Sequence, residues 1–483
     1  MRARLAAAVL LLAVTGCAVS PTPAPSASPS VPVITGPAVT PGQTSSAGAP
    51  ASPSGTSPSV ATASPTTTAP AGWPVYHRDA ARTGAVADFP VPGTLSRAWS
   101  ATLDGAVYGQ PLLVQGLVIA ATEGDSVYGL DPADGHVAWT RNLGTPVALA
   151  TLPCGNIDPL GITSTAAYDP GSGSLFVVAE VAGPQHLLFA LDPSSGAVRW
   201  SRSVDLPGDD PRTHQQRAAL AVGNGYVYVG FGGLAGDCGQ YRGKVVGVPV
   251  SGTGPTLAYV VPVDREGAVW ATGGPVIDGA GNLYVSIGNG SSTSAYDGSD
   301  SVVELSPDLA LMSRFAPSTW ANDNAGDADL GSTSPTLVPG GWVFIVGKSG
   351  TAYVLRAGAL GGIGGEVSSV PLCRSFGGTA TLDATILVPC TDGIRAVRID
   401  AGGVIGVAWH TATGASGPPV VGGGAVWSID TGSGTLFALD ARSGSELARL
   451  DLGPVPHFAS PTLGDGMVLV GTMDGVVAIR VGR

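Results

Sequence analysis

Histidine, cysteine and acidic side chains are the ones that most often do chemistry, and here their spacing matches none of the compact catalytic signatures. Six histidines are scattered along the chain, at positions 77, 136, 186, 214, 410 and 457. The sequence contains no His-Glu-x-x-His zinc motif and no Gly-x-x-x-x-Gly-Lys phosphate loop. It also lacks Cys-x-x-Cys-His, the attachment motif of covalent haem. A functional site must therefore be assembled from residues far apart in the sequence, and the fold decides which of them meet.

A short hairpin phrase recurs along the chain and predicts the architecture. Three clear copies end at Trp139, Trp200 and Leu450, and each reads as an alternating strand, a tight Asp-Pro or Asp-Ala turn closed by Gly, and a second strand. Weaker copies of the first strand raise the count to eight. The eight copies span 127–130, 188–191, 245–248, 302–305, 352–355, 394–397, 436–439 and 476–479. Their ends lie 40 to 61 residues apart, a period typical of four-stranded propeller blades.

The eighth copy ends the chain, so the last blade needs an outer strand from elsewhere. The segment TLSRAWSATL around Trp99 carries the same Ala-Trp pair as the segments at Trp139 and Trp409. Pairing it with the C-terminal strands would close the ring and remove the free sheet edges of an open array. We therefore expect an all-β fold, an eight-bladed β-propeller of four-stranded antiparallel blades, closed by an N-terminal strand on the C-terminal blade.

With these repeats, the sequence resembles the quinoprotein alcohol dehydrogenase-like family of eight-bladed propellers. The segment GWPVYHRDAARTG, residues 72–84, is similar to the segment that precedes the first blade in that family. The likeness covers residues 72–483. Because the family includes both dehydrogenases and assembly lipoproteins, the resemblance predicts the fold rather than a single activity.

Five residues lie in segments that resemble the family's binding site for pyrroloquinoline quinone (PQQ) and calcium. They are Asp237 in GDCGQYRGKV, Trp270 in REGAVWATGG, Asn289 in IGNGSS, Asp329 in NAGDADLGSTSP and Lys348 in VGKSGTAYVL. The resemblance implies Asp237, Asn289 and Asp329 as calcium ligands, Trp270 as the platform under the quinone, and Lys348 as the cation facing its oxygens. Asp329 would also be the catalytic base, with Asp327 as the second choice. Hard oxygen ligands suit calcium, and a carboxylate could accept the proton of a substrate hydroxyl group.

The same residues also have purely structural interpretations, and the sequence departs from the dehydrogenases. Asp237 and Asn289 occupy Gly-rich turns, where such side chains often bond their own backbone, and Trp270 could pack between blades. Asp237 stands where the dehydrogenases have a longer acidic side chain. No two cysteines are adjacent, so the disulfide ring that lies against the quinone in that family is missing. His214 and Arg217 could contact a cofactor or could be ordinary packing groups.

Four cysteines, Cys154, Cys238, Cys373 and Cys390, follow the N-terminal region. In an exported chain an even number predicts two disulfides, for which three connectivities exist. In a propeller, the links between blades and the links between second and third strands share one face, which we call the loop face. All four cysteines fall in such links. We prefer Cys154 with Cys238 and Cys373 with Cys390; free buried thiols are the alternative.

Residues 1–17 predict a lipoprotein signal peptide, followed by a linker. Arg2 and Arg4 precede an apolar run too short to span a bilayer, and Val-Thr-Gly-Cys ending at Cys17 resembles a bacterial lipobox. On that likeness Cys17 is lipidated and anchors the protein outside the cytoplasm; an ordinary secreted protein is the alternative. Residues 18–71 contain no charged residue and are rich in Pro, Ser, Thr, Ala and Gly, which predicts a disordered linker before the propeller at 72–483.

The formal net charge of −12 narrows the choice of partners. An acidic surface argues against nucleic acid, and against contact with an anionic membrane other than through the lipid anchor. Our first hypothesis is a non-catalytic extracytoplasmic propeller that binds a ligand or partner protein on its loop face. The alternative is a PQQ- and calcium-dependent dehydrogenase of an alcohol or sugar, which would need a separate electron carrier because it has no haem.

Overall fold

A ring of eight β-sheets makes up the computed structural model of this protein, which describes residues 72–482. Each sheet is a blade of four antiparallel strands, and the repeated segments found in the sequence form the third strand of each blade. The predicted eight-bladed propeller is therefore confirmed. The predicted signal peptide, Cys17 and the linker lie outside the described residues. Within the described part, no helix is both long enough and apolar enough to cross a bilayer.

Blades 1 to 4 take their strands in chain order, from the inner strand to the outer one. Blade 1 consists of Leu112–Val114, Leu117–Ala121, Ser126–Leu130 and Val137–Asn142. Blade 2 consists of Ala167–Asp169, Ser174–Val181, Gln185–Leu191 and Val198–Ser203. Blade 3 consists of Ala221–Gly223, Tyr226–Gly233, Lys244–Pro249 and Leu257–Val260. Blade 4 consists of Val276–Ile277, Leu283–Ile287, Ser301–Leu305 and Leu311–Ala316.

Blades 5 to 7 follow the same order, and blade 8 takes its outer strand from the N-terminal side. Blade 5 consists of Thr336–Val338, Trp342–Val346, Thr351–Arg356 and Ser368–Pro371. Blade 6 consists of Ala380–Leu382, Thr385–Cys390, Gly393–Ile399 and Ile405–His410. Blade 7 consists of Val420–Gly422, Ala425–Asp430, Thr435–Asp440 and Glu446–Asp451. Blade 8 consists of Thr462–Gly464, Met467–Thr472, Gly475–Val481 and Leu95–Thr102.

The remaining elements are short and lie around the blades. Three two-residue strands add to existing sheets: Ala85–Val86 to blade 7, His214–Gln215 to blade 3 and Gly362–Ile363 to blade 4. An α-helix, Trp320–Gly326, and three 3-10 turns, Leu149–Thr151, Pro211–Thr213 and Leu330–Ser332, occupy links between blades.

The ring closes as the sequence predicted. Leu95–Thr102 pairs antiparallel with Gly475–Val481, with Leu95 opposite Val481 and Thr102 opposite Gly475. The core lies between neighbouring sheets: one apolar cluster joins side chains of blades 7, 8, 1 and 2. Because the ring is closed, every blade packs against a neighbour on both sides.

Tryptophans in the outer strands dock onto the following blade. The indole Nε1 of Trp139 donates to the Pro193 carbonyl at 3.1 Å, and the ring covers Gly196 in the hairpin turn of blade 2. Trp99 covers Gly135 of blade 1 in the same way, and Trp409 covers Gly444 of blade 7. The Trp and the turn glycine that revealed the repeat are thus the two halves of one contact between blades.

Substitution of Gly196 by alanine tests this contact. The new Cβ would lie 2.4 Å from the Trp139 ring, at a residue with φ of +66°. Gly225, with φ of +79° and open space around it, is the matched control. Both variants bear a left-handed backbone cost of roughly 1–2 kcal/mol, and we expect Gly196→Ala to lose about 2 kcal/mol more from overpacking. Urea denaturation measures both losses, and equal losses would contradict the docking role.

On the face opposite the loop face, residues 73–86 cross the centre of the ring. Hairpin turns at Gly279, Pro339 and Leu382 border this segment. The fully buried His77 ring hydrogen-bonds with the Thr379 carbonyl at 2.9 Å and with Ser460 Oγ at 3.0 Å. Backbone hydrogen bonds join the segment to inner strands of blades 1, 4, 6 and 7, at Leu113, Ile277, Thr381 and Val421. The segment that resembles the family's leading segment therefore ties together blades on all sides of the ring.

Candidate functional site: the central cavity of the loop face

A cavity of about 330 Å³ lies on the loop face, and we call it the central cavity. Its walls come from links between blades and links between second and third strands, on several sides of the ring. The polar and aromatic side chains that line it are Tyr108, Asn156, Gln215, Arg217, Asp237, Trp270, Asn289, Asp327, Lys348, His457 and Phe458. Four of the five residues selected from the sequence are among them, and Asp329 is the exception.

Asp329 lies behind the cavity wall, in contact with two of the lining residues. Its side chain is fully buried, and its Oδ2 lies 2.9 Å from the Nζ of Lys348. The indole Nε1 of Trp270 donates to its Oδ1 at 3.4 Å. Lys348 Nζ also lies 2.5 Å from Oδ1 of Asp327 and 5.0 Å from the centre of the Trp270 ring. Trp270, Asp329 and Lys348, which are distant in sequence, thus form one connected group.

The electrostatics of this group follow from its burial. Burial raises the pKa of Asp329, although Lys348 opposes that rise. Burial by itself would lower the pKa of Lys348, but the carboxylates of Asp329 and Asp327 outweigh it and raise that pKa. Lys348 therefore carries its proton at neutral pH. Its charge is already balanced by protein carboxylates.

The structure places Asp327, and not Asp329, where a catalytic base could reach a molecule in the cavity. The side chain of Asp327 is 64% exposed and reaches the cavity, whereas that of Asp329 is 0% exposed. Asp327 ends the helix Trp320–Gly326 in a left-handed conformation. Lys348 contacts both carboxylates, one exposed and one buried. A base that acts on a molecule in the cavity would be Asp327, the second choice from the sequence.

Asp237 and Asn289 lie on the neighbouring wall. Asp237 adopts a left-handed conformation with φ of 50°, and Tyr241 donates its hydroxyl hydrogen to Asp237 Oδ1 at 2.5 Å. Burial and the nearby Asp237 carboxylate raise the pKa of Tyr241, so the phenol remains a donor. The backbone oxygen of Asn289 accepts a hydrogen bond from the amide of Gly267 at 2.8 Å. The Asp237 turn is thus fixed by a local hydrogen bond, and the Asn289 turn by a backbone hydrogen bond from the link between blades 3 and 4.

These contacts test whether the residues fit calcium and PQQ. A calcium ion would need carboxylate oxygens of Asp237 and Asp329. Tyr241 occupies only Oδ1 of Asp237, whereas Trp270 and Lys348 occupy both oxygens of Asp329. Phe376 and Phe458 pack against the Trp270 ring, with centroids 6.4 and 6.3 Å away. The arrangement does not fit a PQQ and calcium complex unless these contacts are exchanged.

Three aromatic residues at the site, Tyr108, Phe376 and Phe458, were missed in the sequence. Phe458 lines the cavity, and the two phenylalanine rings stack on each other with centroids 6.1 Å apart. Their position relative to the inner strands of the repeat would have identified them. Tyr108, Arg217, Phe376 and Phe458 each precede the first residue of an inner strand by four positions. Equivalent positions before blades 1, 3, 6 and 8 therefore converge at the centre of the loop face.

Arg217 and His214 were both left open by the sequence, and the structure separates them. Arg217 lines the cavity, and burial lowers its pKa, against the opposing effect of the carboxylates of Glu123 and Glu180. His214 is buried away from the cavity lining, and its Nδ1 lies 3.1 Å from the Asp210 carbonyl oxygen. Arg217 belongs to the site, whereas His214 packs beside it.

Two disulfides flank the site, and both have the connectivity preferred from the sequence. Cys154 pairs with Cys238 and Cys373 pairs with Cys390. Such bonds persist in oxidising compartments outside the cytoplasm. Cys238 directly follows Asp237, so one disulfide lies at the edge of the cavity.

Comparisons with known proteins agree with this architecture. A family model described as "Outer membrane protein assembly factor BamB" matches residues 94–233 and 391–480. The chain is similar to the quinohemoprotein alcohol dehydrogenase of Pseudomonas putida HK5, with 15% identity, a TM-score of 0.67, and coverage of 85% of this chain and 80% of that one. It is similar to the enzyme of the same type from Comamonas testosteroni, with 17% identity, a TM-score of 0.65, and coverage of 85% and 81%.

A non-dehydrogenase structure shares the same fold. BamB from Moraxella catarrhalis shows 16% identity and a TM-score of 0.55, with coverage of 80% of this chain and 99% of that one. No curated protein matches the sequence. The fold and the matched repeats define an eight-bladed propeller of the PQQ-repeat type. The chain therefore shares its fold with the quinohemoprotein alcohol dehydrogenases and with BamB, and at these identities the likeness specifies the fold and not the activity.

Proposed function

We propose that this protein is a lipid-anchored extracytoplasmic propeller that binds a ligand or a partner protein on its loop face, without catalytic turnover. The central cavity is the binding site. The anchor is the predicted lipid on Cys17, and the uncharged linker at residues 18–71 holds the propeller away from the membrane. The two disulfides support a location outside the cytoplasm.

The main observation behind this proposal is that the charged side chains that a redox cofactor would need are already paired with one another. Lys348 is held between Asp327 and Asp329, so its charge is not available to stabilise a reduced cofactor. Tyr241 occupies one oxygen of the Asp237 carboxylate, and both oxygens of Asp329 are occupied by Lys348 and Trp270. The exposed polar lining, including Asn156, retains groups that recognise a ligand.

Photo-crosslinking in living cells tests the proposed binding face. A photoreactive residue placed at Asn156, which is exposed at the cavity, should form a covalent adduct with the ligand or partner. The same residue at Val407, which is 50% exposed on the outer strand of blade 6, is the matched control and should form none. Equal labelling from both positions, or none from Asn156, would refute binding at the loop face.

A PQQ- and calcium-dependent dehydrogenase remains the second candidate, favoured by the fact that Trp270, Lys348 and Asp327 line one cavity. When bound, PQQ would supply the two-electron acceptor. We expect purified protein mixed with calcium and PQQ to show no quinone absorbance after desalting, and no dye reduction with alcohols or sugars. Retained quinone together with dye reduction would reverse the order of the two candidates.

A further inference from the structure

One wall of the central cavity is built from two loops that belong to different parts of the ring. The first loop spans residues 147–160, within the link between blades 1 and 2, and contributes Asn156 to the cavity. The second spans residues 234–243, between the second and third strands of blade 3, and contributes Asp237. The position of both polar side chains depends on how these loops are held.

Each loop is fixed internally. Val147 and Leu160 exchange two backbone hydrogen bonds of 2.8 Å, which close the first loop at its base. In the second loop, the Asp237 amide donates to the Leu234 carbonyl at 2.9 Å, and Gly236, Asp237 and Gly239 are all left-handed. Both loops are therefore compact. These hydrogen bonds lie within each loop and do not connect one loop to the other.

Contacts between the two loops are few. Leu234 joins the small apolar cluster of the first loop, which includes Val147, Ile157 and Leu160. Between residues 147–160 and 234–243, both within the described chain, no hydrogen bond is found. The two loops are therefore joined by this apolar contact and by the covalent bond between Cys154 and Cys238, which links residues 84 positions apart. Gly236 lies directly against it, since a Cβ there would come within 3.3 Å of Cys154 Sγ.

We propose that the Cys154–Cys238 disulfide is a positioning element of the binding site, which holds Asn156 and Asp237 against the same cavity. This inference rests on the proposed function, because it takes the central cavity as the binding site. Cys154 lies two positions before Asn156, and Cys238 lies one position after Asp237. Without the bond, the two loops separate, the cavity widens on this side, and the polar contacts from Asn156 and Asp237 no longer act together. Neither Cys373 nor Cys390 lies in these two loops, so the second disulfide does not join this wall.

The lysine content of the chain provides a test that needs no ligand. The chain has two lysines: Lys348, which lines the cavity, and Lys244, whose side chain is 1% exposed and paired with Asp209. The rate at which acetic anhydride acetylates Lys348 therefore measures how accessible the cavity is. The rate of acetylation of Lys244 measures global unfolding. Hydrogen exchange of residues 147–160 and 234–243, measured by mass spectrometry, reports the loops themselves.

In the variant Cys154→Ser/Cys238→Ser we expect acetylation of Lys348 to accelerate on the order of tenfold through local opening. Exchange should increase in the two loops while Lys244 stays unreactive. Trp409→Phe, which removes a hydrogen bond to the Ala441 carbonyl far from this wall, controls for general destabilisation and should leave both readouts unchanged.

Unchanged Lys348 acetylation and unchanged loop exchange in the serine variant would overturn the inference. So would equal acceleration at Lys244, because the disulfide would then stabilise the whole propeller rather than position one wall. Failure of the proposed function would instead appear as an absent photo-adduct from Asn156, with the acetylation result unaffected. The two failures are thus distinguishable.

Discussion

Replacing Lys348 with methionine is expected to lower the free energy of unfolding by about 3–5 kcal/mol at neutral pH, the usual cost of breaking a buried ion pair. Methionine fills a similar volume but leaves the fully buried Asp329 carboxylate without its cation. Only the weaker hydrogen bond from Trp270 remains on that carboxylate. Urea denaturation at a series of pH values measures the loss.

The pH dependence of this loss identifies its cause. Burial already raises the pKa of Asp329, and removal of Lys348 raises it further. A raised carboxyl pKa means that the folded state binds a proton that the unfolded state releases, so the variant should regain stability as the pH falls. Lys348→Met/Asp329→Asn, which removes both charges, should restore most of the loss. If the double variant is as unstable as the single one, packing rather than charge is responsible.

The stability of the propeller is expected to fall as the pH rises from about 4 to about 8. Burial is the main cause that raises the pKa of Glu123 and of Asp125, each to about 8. Both side chains are almost completely buried near the loop face of blade 1, and neither oxygen of Asp125 has a hydrogen-bond partner within the described residues. The folded state therefore holds two protons that the unfolded chain releases above pH 4. Their stabilising contribution is complete at acidic pH and is lost as the pH rises through 8.

Neutral substitutions test this dependence. Each unit of pKa difference corresponds to about 1.4 kcal/mol, so the effect of Asp125 alone should be readily measurable between pH 5 and 9. Asp125→Asn should flatten the curve of unfolding free energy against pH, and Glu123→Gln should flatten it further. Asp264→Asn, at an exposed position in the link between blades 3 and 4, is the control and should leave the slope unchanged. A slope that persists in both buried-site variants would assign the pH dependence to other groups.

The two candidate functions share one scaffold. They differ in whether Lys348 and Trp270 contact other side chains of the protein or a bound cofactor. In the structure, Lys348 binds carboxylates of its own chain, and Trp270 packs against Phe376 and Phe458. A dehydrogenase needs the same side chains to face a cofactor instead. Shared ancestry would leave the residue types in place even after such a change in their partners, so residue identity alone does not separate the functions.

The sequence predicted the repeat well, because each copy specifies its strands and its turn through local residue patterns. An alternating strand recurs at intervals of 40 to 61 residues, with a turn glycine and an outer tryptophan in the clearest copies, and each copy can only bury its apolar faces against a neighbour. Eight copies thus implied eight blades, and the spare N-terminal strand at Trp99 implied closure. The topology placed all four cysteines on one face without fixing their pairing, and the pairing preferred from the sequence is the one found in the structure.

The site was predicted only in outline. Resemblance selected Asp237, Trp270, Asn289 and Lys348, and all four line one cavity. It chose Asp329 over Asp327, whereas the structure buries Asp329 and exposes Asp327 to the cavity; two aspartates two positions apart in one link cannot be told apart by residue type. Phe376 and Phe458 were overlooked because phenylalanine in a link has no chemical signature of its own.

The sequence by itself determined the number of blades, the closure of the ring and the face on which the links gather, because these follow from local strand and turn patterns that repeat. Only the tertiary structure decided which side chains pair within the central cavity. Lys348 with Asp329, Tyr241 with Asp237, and Phe376 with Trp270 are contacts between separate segments. Their geometry depends on how far each blade is rotated against the next, and that rotation is set by packing over the whole ring rather than by any one segment.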